Sequence, residues 1–208
     1  MSKSNANVSR GLSKLLRHAA IEDRIAISEK GWVNTVDAIR WLKTNRGISC
    51  NETDIRNVVE TDQKQRYSLQ KSDTQLFIRA NQGHSMPGIV VDMKVLACED
   101  VNFVVHGTYY QAWEHIKTKG LSIMGRHHVH FARELPHENC VISGMRSSCQ
   151  VLIWIDVCKA MTAGMKFFES DNGVILTAGF NGIVSPNFFH EVRDRKTGKV
   201  IWTPDETR

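Results

Sequence analysis

Arginine and histidine side chains recur in short polar stretches of this 208-residue chain, and together they could bind a phosphate. Arg17 and His18 are adjacent near the N-terminus, Arg79 follows the apolar run of LFIRANQGHS, and Arg126 precedes the histidines of GRHHVHF. Arginine stays charged at any working pH and can donate two parallel hydrogen bonds to one phosphate. Two or three converging guanidinium groups would suit a substrate with more than one phosphate. Taken alone, Arg17 and His18 are more typical of a solvated helix face, and Arg79 of an exposed strand edge.

Four polar side chains crowd behind Arg79, where the apolar strand gives way to glycine-containing backbone. A surface loop has no need of so many specific hydrogen-bonding groups, whereas a loop that binds an anion does. We therefore expect these side chains to order a phosphate-binding loop: Asn81, Gln82, His84 and Ser85.

A second group of candidates lies around glycines in the second half of the chain. The tripeptide HGT (His106, Gly107 and Thr108) follows an apolar strand and precedes a helix, whose first N–H groups could bind an anion. The glycine would let a ligand approach the backbone. The stretch ISGMRSS repeats the pattern, with Ser143, Gly144 and Arg146 ahead of another apolar strand. Neither a G-x-G-x-x-G nor a Walker motif occurs, which disfavours a Rossmann or P-loop nucleotide site.

His128 and His130 would point to the same side of a strand and could share a metal ion. No carboxylate accompanies them at ligand spacing, so we expect no metal and a histidine pair that lines a cleft. The cysteines are odd in number, form no C-x-x-C pair and are scattered along the chain: Cys50, Cys98, Cys140, Cys149 and Cys158. That usage favours free thiols in a reducing compartment.

The composition indicates a globular, basic protein. Hydrophobic residues make up 41% of the chain and the formal net charge is +5, with a pI near 9.0. A core is therefore expected, and the charge favours a polyanionic partner. Neither a signal sequence nor a membrane-spanning apolar run is visible. We expect a soluble intracellular monomer, in the cytoplasm or the nucleus.

The elements that must position these residues fall into two halves. In residues 1–90, apolar side chains at helical spacing predict three helices: VSRGLSKLLRHAA, NTVDAIRWLK and NETDIRNVVE. The second helix is expected to bury Val36, Ile39 and Leu42. A hairpin follows, in which QRYSLQ and TQLFIRA flank the polar turn KSD. Three helices closed by a hairpin form the winged variant of the helix-turn-helix plan, which often binds nucleic acid.

Residues 91–208 are richer in predicted strands, so the fold class is α+β. NFVVHG precedes the helix TYYQAWEHIKTKG, and HHVHFAR alternates between polar and apolar residues. The continuous apolar run VLIWIDV predicts a central strand that is buried on both faces. GVILTAG and GIVSPNFF are predicted to be further strands.

Taken in order, these stretches resemble the RNA 2′-phosphotransferases of tRNA splicing. The matching motifs run from Leu12 to about Thr177: LSKLLRHA, GWV, QKQRYSLQ, FIRANQGHS, VHGT, GLSIMGRHHVHF, ISGMRSSC and NGVILT. The departures are small, with Lys30 in place of an acidic residue before GWV and Val129 in place of isoleucine in HIHF. Residues after Phe180 match less well, and the resemblance assigns no site there.

The resemblance implies an NAD-dependent enzyme that removes the 2′-phosphate from a spliced RNA junction, with spliced tRNA as the partner. It implies an RNA-binding winged-helix lobe in residues 1–90 and an NAD-binding lobe like that of ADP-ribosyltransferases in residues 91–208. The family's essential quartet corresponds to Arg17, His18, Arg79 and Arg126, which is expected at the junction of the lobes. The NAD-binding residues would be those of HGT with Ser143 and Gly144.

The implied products are 2′-hydroxyl RNA, nicotinamide and ADP-ribose 1″,2″-cyclic phosphate, formed through an RNA-2′-phospho-ADP-ribose intermediate. Two alternatives remain open from the sequence. One is an ADP-ribosyltransferase that acts on phosphorylated nucleic-acid ends or on proteins and stops after the first step. The other is a winged-helix protein that binds RNA without catalysis, although the intact HGT argues against it.

Overall fold

The computed structural model describes residues 3–133, 135 and 144–204, which form two compact units. Unit 1 is Met1–Asp92 and unit 2 is Met93–Arg208. Helices and strands are mixed along the chain, so the predicted α+β class is confirmed. None of the described helices has the length and apolar character needed to cross a lipid bilayer.

Unit 1 consists of three helices and a small antiparallel sheet. The helices are α1 (Lys3–Lys14), which continues into a π-helical turn (Leu15–Ala19), α2 (Thr35–Arg46) and α3 (Glu52–Thr61). The strands are β1 (Val33–Asn34), β2 (Tyr67–Ser72) and β3 (Gln75–Ala80), in the order β1–β3–β2. The core of this unit is a cluster of apolar side chains from all three helices and from β2 and β3.

Local capping determines where α2 and α3 begin and end. The Asn34 side chain accepts a hydrogen bond from the Val36 N–H at 2.9 Å, and Gly47 ends α2 in the left-handed conformation at φ +64°. At the start of α3, Asn51 and Asp54 form a reciprocal capping box. The helical segments predicted from the sequence, NTVDAIRWLK and NETDIRNVVE, begin at these two capping residues.

Two local predictions for unit 1 were wrong. Val36 was expected to be buried but is 58% exposed. The buried face of α2 is centred on Ala38 and Trp41, and Val36 lies about 200° around the helix from Ala38. The hairpin turn is also shorter than KSD. Lys71 and Ser72 pair with β3, and the turn falls at Asp73, whose φ of +52° an aspartate tolerates.

Unit 2 contains two four-stranded sheets that share one core. The first sheet has the order β13–β12–β8–β5: Val200–Trp202, Phe189–Asp194, Val151–Asp156 and Phe103–Thr108. The second has the order β4–β9–β10–β7: Lys94–Val95, Phe168–Glu169, Ile175–Thr177 and Val129–Phe131. A pair of strands, β6 (Leu121–Ser122) and β11 (Ile183–Val184), and the helices α4 (Tyr110–Lys119) and α5 (Val157–Thr162) complete the unit. Val104 and Ile153 from the first sheet and Phe131 and Ile175 from the second are fully buried in the shared core.

The predicted central strand VLIWIDV corresponds to β8, which pairs with β5 on one side and β12 on the other. GIVSPNFF is largely not a strand. Only Ile183–Val184 is extended before a 3₁₀ turn at Pro186–Phe188, because proline cannot donate to a ladder. β12, β13 and α5 were not predicted from the sequence, since α5 has only six residues and β12 mixes charged and apolar residues.

Candidate active site

Arg17 and His18 lie in the π-helical turn at the end of α1. Its defining hydrogen bond runs from the Ala20 N–H to the Leu15 oxygen at 3.0 Å, one residue longer than in an α-helix. Leu15 and Ala19 point into the core, while Arg17 and His18 are half-buried. Single π-helical turns occur frequently at functional sites. The pair is therefore not on a fully solvated helix face.

The polar loop behind Arg79 packs against this turn. The Ser85 N–H donates to the Arg17 backbone oxygen at 2.9 Å, and the Ser85 hydroxyl lies 2.8 Å from Nδ1 of His18. Gly83, at φ +89°, lies beside the Arg17 side chain, and a Cβ there would sit 3.5 Å from the guanidinium carbon. The loop thus brings Ser85 and its neighbours to Arg17 and His18, although the two stretches are more than sixty residues apart in the sequence.

Arg79 is buried at the end of β3, with 8% of its surface exposed. Its guanidinium carbon lies 4.7 Å from the centre of the Trp32 ring, a cation–π contact that fixes the plane of the charged group. A hydrogen bond from Lys30, and more weakly the charge of Arg79, lower the pKa of Asp92. The hydrogen bond from Lys30 is part of an ion pair with Asp92.

The other residues predicted to support the loop lie in the segment that follows β3. Asn81 donates to the Gln65 backbone oxygen at 2.8 Å and accepts from the Ser68 hydroxyl at 2.7 Å, which anchors the start of the loop. His84 is buried, and a Cβ on Gly31 would lie 3.3 Å from its Nε2. Gln82 is half-buried in the same segment.

In unit 2, His106, Arg126 and Arg146 lie close enough for their charges to interact. His106 donates from Nδ1 to the His130 backbone oxygen at 3.0 Å. Burial lowers the pKa of His106, and the positive charges of Arg126 and Arg146 lower it further. Burial and the charge of Arg146 likewise lower the pKa of Arg126. The imidazole of His106 is therefore neutral near pH 7 and can accept a hydrogen bond at Nε2.

Gly107 faces protein side chains. A Cβ at this position would lie 2.4 Å from Cγ of Met145 and 2.8 Å from Sγ of Cys149. The sequence predicted that this glycine admits a ligand to the backbone, but in the structure it makes room for the segment that follows Gly144. Thr108 is buried, and its backbone oxygen accepts a hydrogen bond from the Gln150 backbone N–H at 2.7 Å.

The remaining predicted site residues are placed as follows. Gly144 has φ +84°, and a Cβ there would lie 2.9 Å from the Phe131 oxygen, so this position requires glycine. Ser143 lies outside the described residues. His128 is half-buried against Phe168, and burial lowers its pKa. Among the described residues, no three histidine, cysteine or acidic side chains come together as a metal site.

Gly107→Ala is expected to lower the free energy of unfolding by about 1–3 kcal/mol, because the added methyl group overpacks a buried contact. Urea denaturation would measure this change. The matched control is Gly125→Ala, where an added Cβ meets nothing within 4 Å. Equal stability of the two variants would contradict the packing role of Gly107.

Sequence reasoning missed several residues at these sites. Trp32 belongs to the motif GWV, but its stacking on Arg79 depends on tertiary packing. Tyr109 and Ser148 share a hydrogen bond of 2.8 Å beside Arg146. This bond and contact with Arg146 lower the pKa of Tyr109. The two adjacent tyrosines after HGT were the sequence feature that could have pointed to Tyr109.

Comparison with known proteins adds an independent finding. Residues 3–179 match the model of a family described as RNA 2′-phosphotransferase, Tpt1 / KptA family. A tRNA 2′-phosphotransferase 1 from Danio rerio is 39% identical over 198 residues, which cover 92% of this chain and 87% of the relative. A tRNA 2′-phosphotransferase 1 from Homo sapiens is 40% identical over 192 residues, which cover 90% of this chain and 75% of the relative. A relative from Schizosaccharomyces pombe is 40% identical over 194 residues, and this chain spans 52% of its length.

Proposed function

Because the chain belongs to the RNA 2′-phosphotransferase family, we propose that it transfers the 2′-phosphate of a spliced RNA to NAD. The products would be 2′-hydroxyl RNA, nicotinamide and ADP-ribose 1″,2″-cyclic phosphate. Family membership, which the ordered motifs predicted, is confirmed. The names of the relatives support an RNA substrate, and spliced tRNA is the substrate that we propose.

The observation that carries this proposal is the packing of the Gly83–Ser85 loop onto Arg17 and His18 in unit 1. The same loop leaves β3 just after Arg79, whose guanidinium group stacks on Trp32. Fixed guanidinium groups lose little entropy when they bind a phosphate, and they match its oxygens in pairs. These residues would bind the 2′-phosphate of the RNA.

The three helices and the hairpin of unit 1 support a winged-helix lobe. We propose that the RNA contacts this lobe at the π-helical turn. The helix before the hairpin, α3, is a poor alternative because it carries more acidic than basic side chains: Glu52, Asp54 and Glu60 against one arginine. Its single arginine, Arg56, is already paired with Glu52 at 2.8 Å.

Unit 2 would bind NAD in the manner of an ADP-ribosyltransferase. Arg126 and Arg146 fit the two phosphates of NAD, because guanidinium groups bind phosphate oxygens in pairs. His106 can accept a hydrogen bond from a ribose hydroxyl at its neutral Nε2. Thr108 and Gly144 would position the backbone around the ligand.

The first chemical step needs little help from acids or bases. An oxygen of the RNA 2′-phosphate forms a bond to the anomeric carbon of the nicotinamide riboside, and the bond from that carbon to nicotinamide breaks. The nucleophile is already anionic near neutral pH, and nicotinamide leaves as a neutral molecule. Positioning is therefore the main requirement, and no equivalent of the catalytic glutamate of protein ADP-ribosyltransferases is needed.

The second step places the greater demand on Arg17, His18 and Arg79. The 2″-hydroxyl of the ADP-ribose moiety attacks phosphorus, the bond between phosphorus and the RNA 2′-oxygen breaks, and the leaving oxygen takes up a proton. Charge builds on the phosphoryl oxygens in the transition state, where fixed guanidinium groups stabilise it. His18 would move the proton from the attacking 2″-hydroxyl to the leaving oxygen, since its Nδ1 lies 2.8 Å from the Ser85 hydroxyl, which orients the ring.

The protein is expected to convert NAD and a 2′-phosphorylated oligonucleotide into the three products named above. Mass spectrometry of the products would test this, with the reaction run in EDTA because the proposed site uses arginines in place of a metal ion. A 2′-hydroxyl oligonucleotide is the control substrate. Release of inorganic phosphate, turnover without NAD or dependence on added metal would contradict the proposal. RNA that keeps its ADP-ribose would show that the reaction stops after the first step.

A further inference from the structure

Two residues at the end of β12 contact residues 147–150, which pack against the HGT tripeptide, and the start of α4, which follows it. Asp194 is the last residue of β12, and Arg195 follows it in the turn toward β13. Both lie beyond residues 3–179, which match the family model. The sequence alone predicts no role for either residue.

Arg195 holds the segment 147–150 at several points. Its Nη1 donates to the backbone oxygen of Ser147 and lies 3.4 Å from both the backbone oxygen and Sγ of Cys149. The backbone N–H of Arg195 donates to the backbone oxygen of Gln150 at 2.8 Å. A planar guanidinium group can donate to several acceptors at once, so a single side chain restrains this stretch of backbone.

Asp194 holds the start of α4. Its Oδ2 accepts from the Tyr110 hydroxyl at 2.5 Å, and its Oδ1 accepts from the backbone N–H and the hydroxyl of Thr197, both at 2.6 Å. The Thr197 hydroxyl, then Tyr110, lower the pKa of Asp194 to about 2. The carboxylate is therefore charged at any working pH, and these bonds persist.

The restrained segment contacts HGT directly. The backbone N–H of Gln150 donates to the backbone oxygen of Thr108 at 2.7 Å. Cys149 packs where a side chain on Gly107 would otherwise lie. Arg146 immediately precedes the segment, so any displacement of residues 147–150 would move both the guanidinium group of Arg146 and the backbone of HGT.

We propose that Arg195 is a positioning residue for the NAD site. It holds residues 147–150 so that Arg146 and HGT keep the geometry that binds the two phosphates and the ribose of NAD. Asp194 assists by fixing the first residue of α4. The inference rests on the proposed function, because it takes NAD as the ligand. Neither residue contacts the ligand, and each acts through the backbone that it restrains.

The test compares Arg195→Ala with Lys196→Ala, which removes the neighbouring exposed positive charge and leaves the contacts to residues 147–150 intact. Calorimetry would measure NAD affinity, and steady-state kinetics would give KM for NAD and kcat. We expect Arg195→Ala to weaken NAD binding and raise KM by about tenfold, the effect of losing one charge-assisted hydrogen bond. Because binding and not chemistry is affected, kcat should change much less. Arg195→Lys should recover part of the affinity, since an ammonium group can still donate to Ser147.

Two further measurements separate positioning from general destabilisation. Amide hydrogen exchange of Cys149 and Gln150 should quicken in Arg195→Ala, while exchange in β8 stays slow. The pKa of His106, followed by nuclear magnetic resonance, should rise in Arg195→Ala, because the positive charge of Arg146 would no longer be held near the ring. Lys196→Ala should change neither quantity.

The outcomes distinguish this inference from the proposed function. A wild-type protein that binds no NAD would overturn the proposed function and this inference together. A wild-type protein that binds NAD, with Arg195→Ala binding it equally well, would overturn this inference alone. Should Arg195→Ala fail to fold, the comparison passes to Arg195→Lys, which must bind NAD more weakly than Lys196→Ala does.

Discussion

Arg79→Ala is expected to slow transfer of the RNA 2′-phosphate by about 100-fold or more, the usual effect of removing one fixed donor from a developing negative charge. Arg79 is buried and stacked on Trp32, so its guanidinium group is already oriented before substrate arrives. Alanine leaves no donor in its place, and water cannot reproduce a fixed positive charge. Single-turnover rates with saturating NAD and a 2′-phosphorylated oligonucleotide would measure the loss.

Two companion variants make the Arg79 result interpretable. Arg79→Lys keeps the charge but not the planar pair of donors, so it should restore only part of the rate. Arg56→Ala removes an exposed arginine that is paired with Glu52 on α3, and it should react at the wild-type rate. Thermal unfolding of each variant separates a folding defect from a catalytic one. A folded Arg79→Ala protein with wild-type activity would remove Arg79 from the site.

His18→Ala and Arg17→Ala are expected to trap the intermediate, RNA-2′-phospho-ADP-ribose. The first step mainly requires a positioned phosphate, whereas the second also requires stabilised charge and a protonated leaving oxygen. Loss of a group that assists proton transfer typically slows a step by about 100-fold or more, so the second step should become limiting. Gel analysis of single-turnover reactions would show the slower-migrating intermediate accumulate and then decay.

Lys14→Ala is the matched control for these two variants, because Lys14 is an exposed cation on the same helix, just before the π-helical turn. It should leave both steps unchanged. Substitutions in HGT should behave differently from His18→Ala, since they weaken NAD binding and slow the first step. If Arg17→Ala and His18→Ala both react at the wild-type rate without a trapped intermediate, the two residues belong to a solvated surface and the proposed site is wrong.

The sequence was sufficient for features that depend on neighbouring residues. The caps at Asn34 and Asn51 are local hydrogen bonds, and the run VLIWIDV needed only its own hydrophobicity to be recognised as a central strand. The resemblance predicted that Arg17, His18 and Arg79 act together, although no periodicity links the first two to the third, and in the structure the loop after Arg79 packs against Arg17 and His18.

Features that depend on distant contacts could not be predicted. The π-helical turn coincides with the docking of Ser85 onto Arg17, and the two residues are far apart in the sequence. Gly107 looked like a ligand-facing glycine because nothing in the sequence indicates that Met145 and Cys149 pack against it. β12 pairs with a strand almost forty residues earlier, so its partner, and the role of the residues at its end, became visible only in three dimensions.

The π-helical turn has a consequence for any attempt to make this protein more thermostable. It amounts to a one-residue insertion into a regular helix, and it rotates the following residues by about 100° relative to the apolar stripe of α1. Substitutions that raise helix propensity between Leu15 and Ala19 would favour the unbroken helix and turn His18 away from Ser85. Consensus or computational redesign of this stretch would therefore exchange activity for stability, and the irregular turn should be kept as it is.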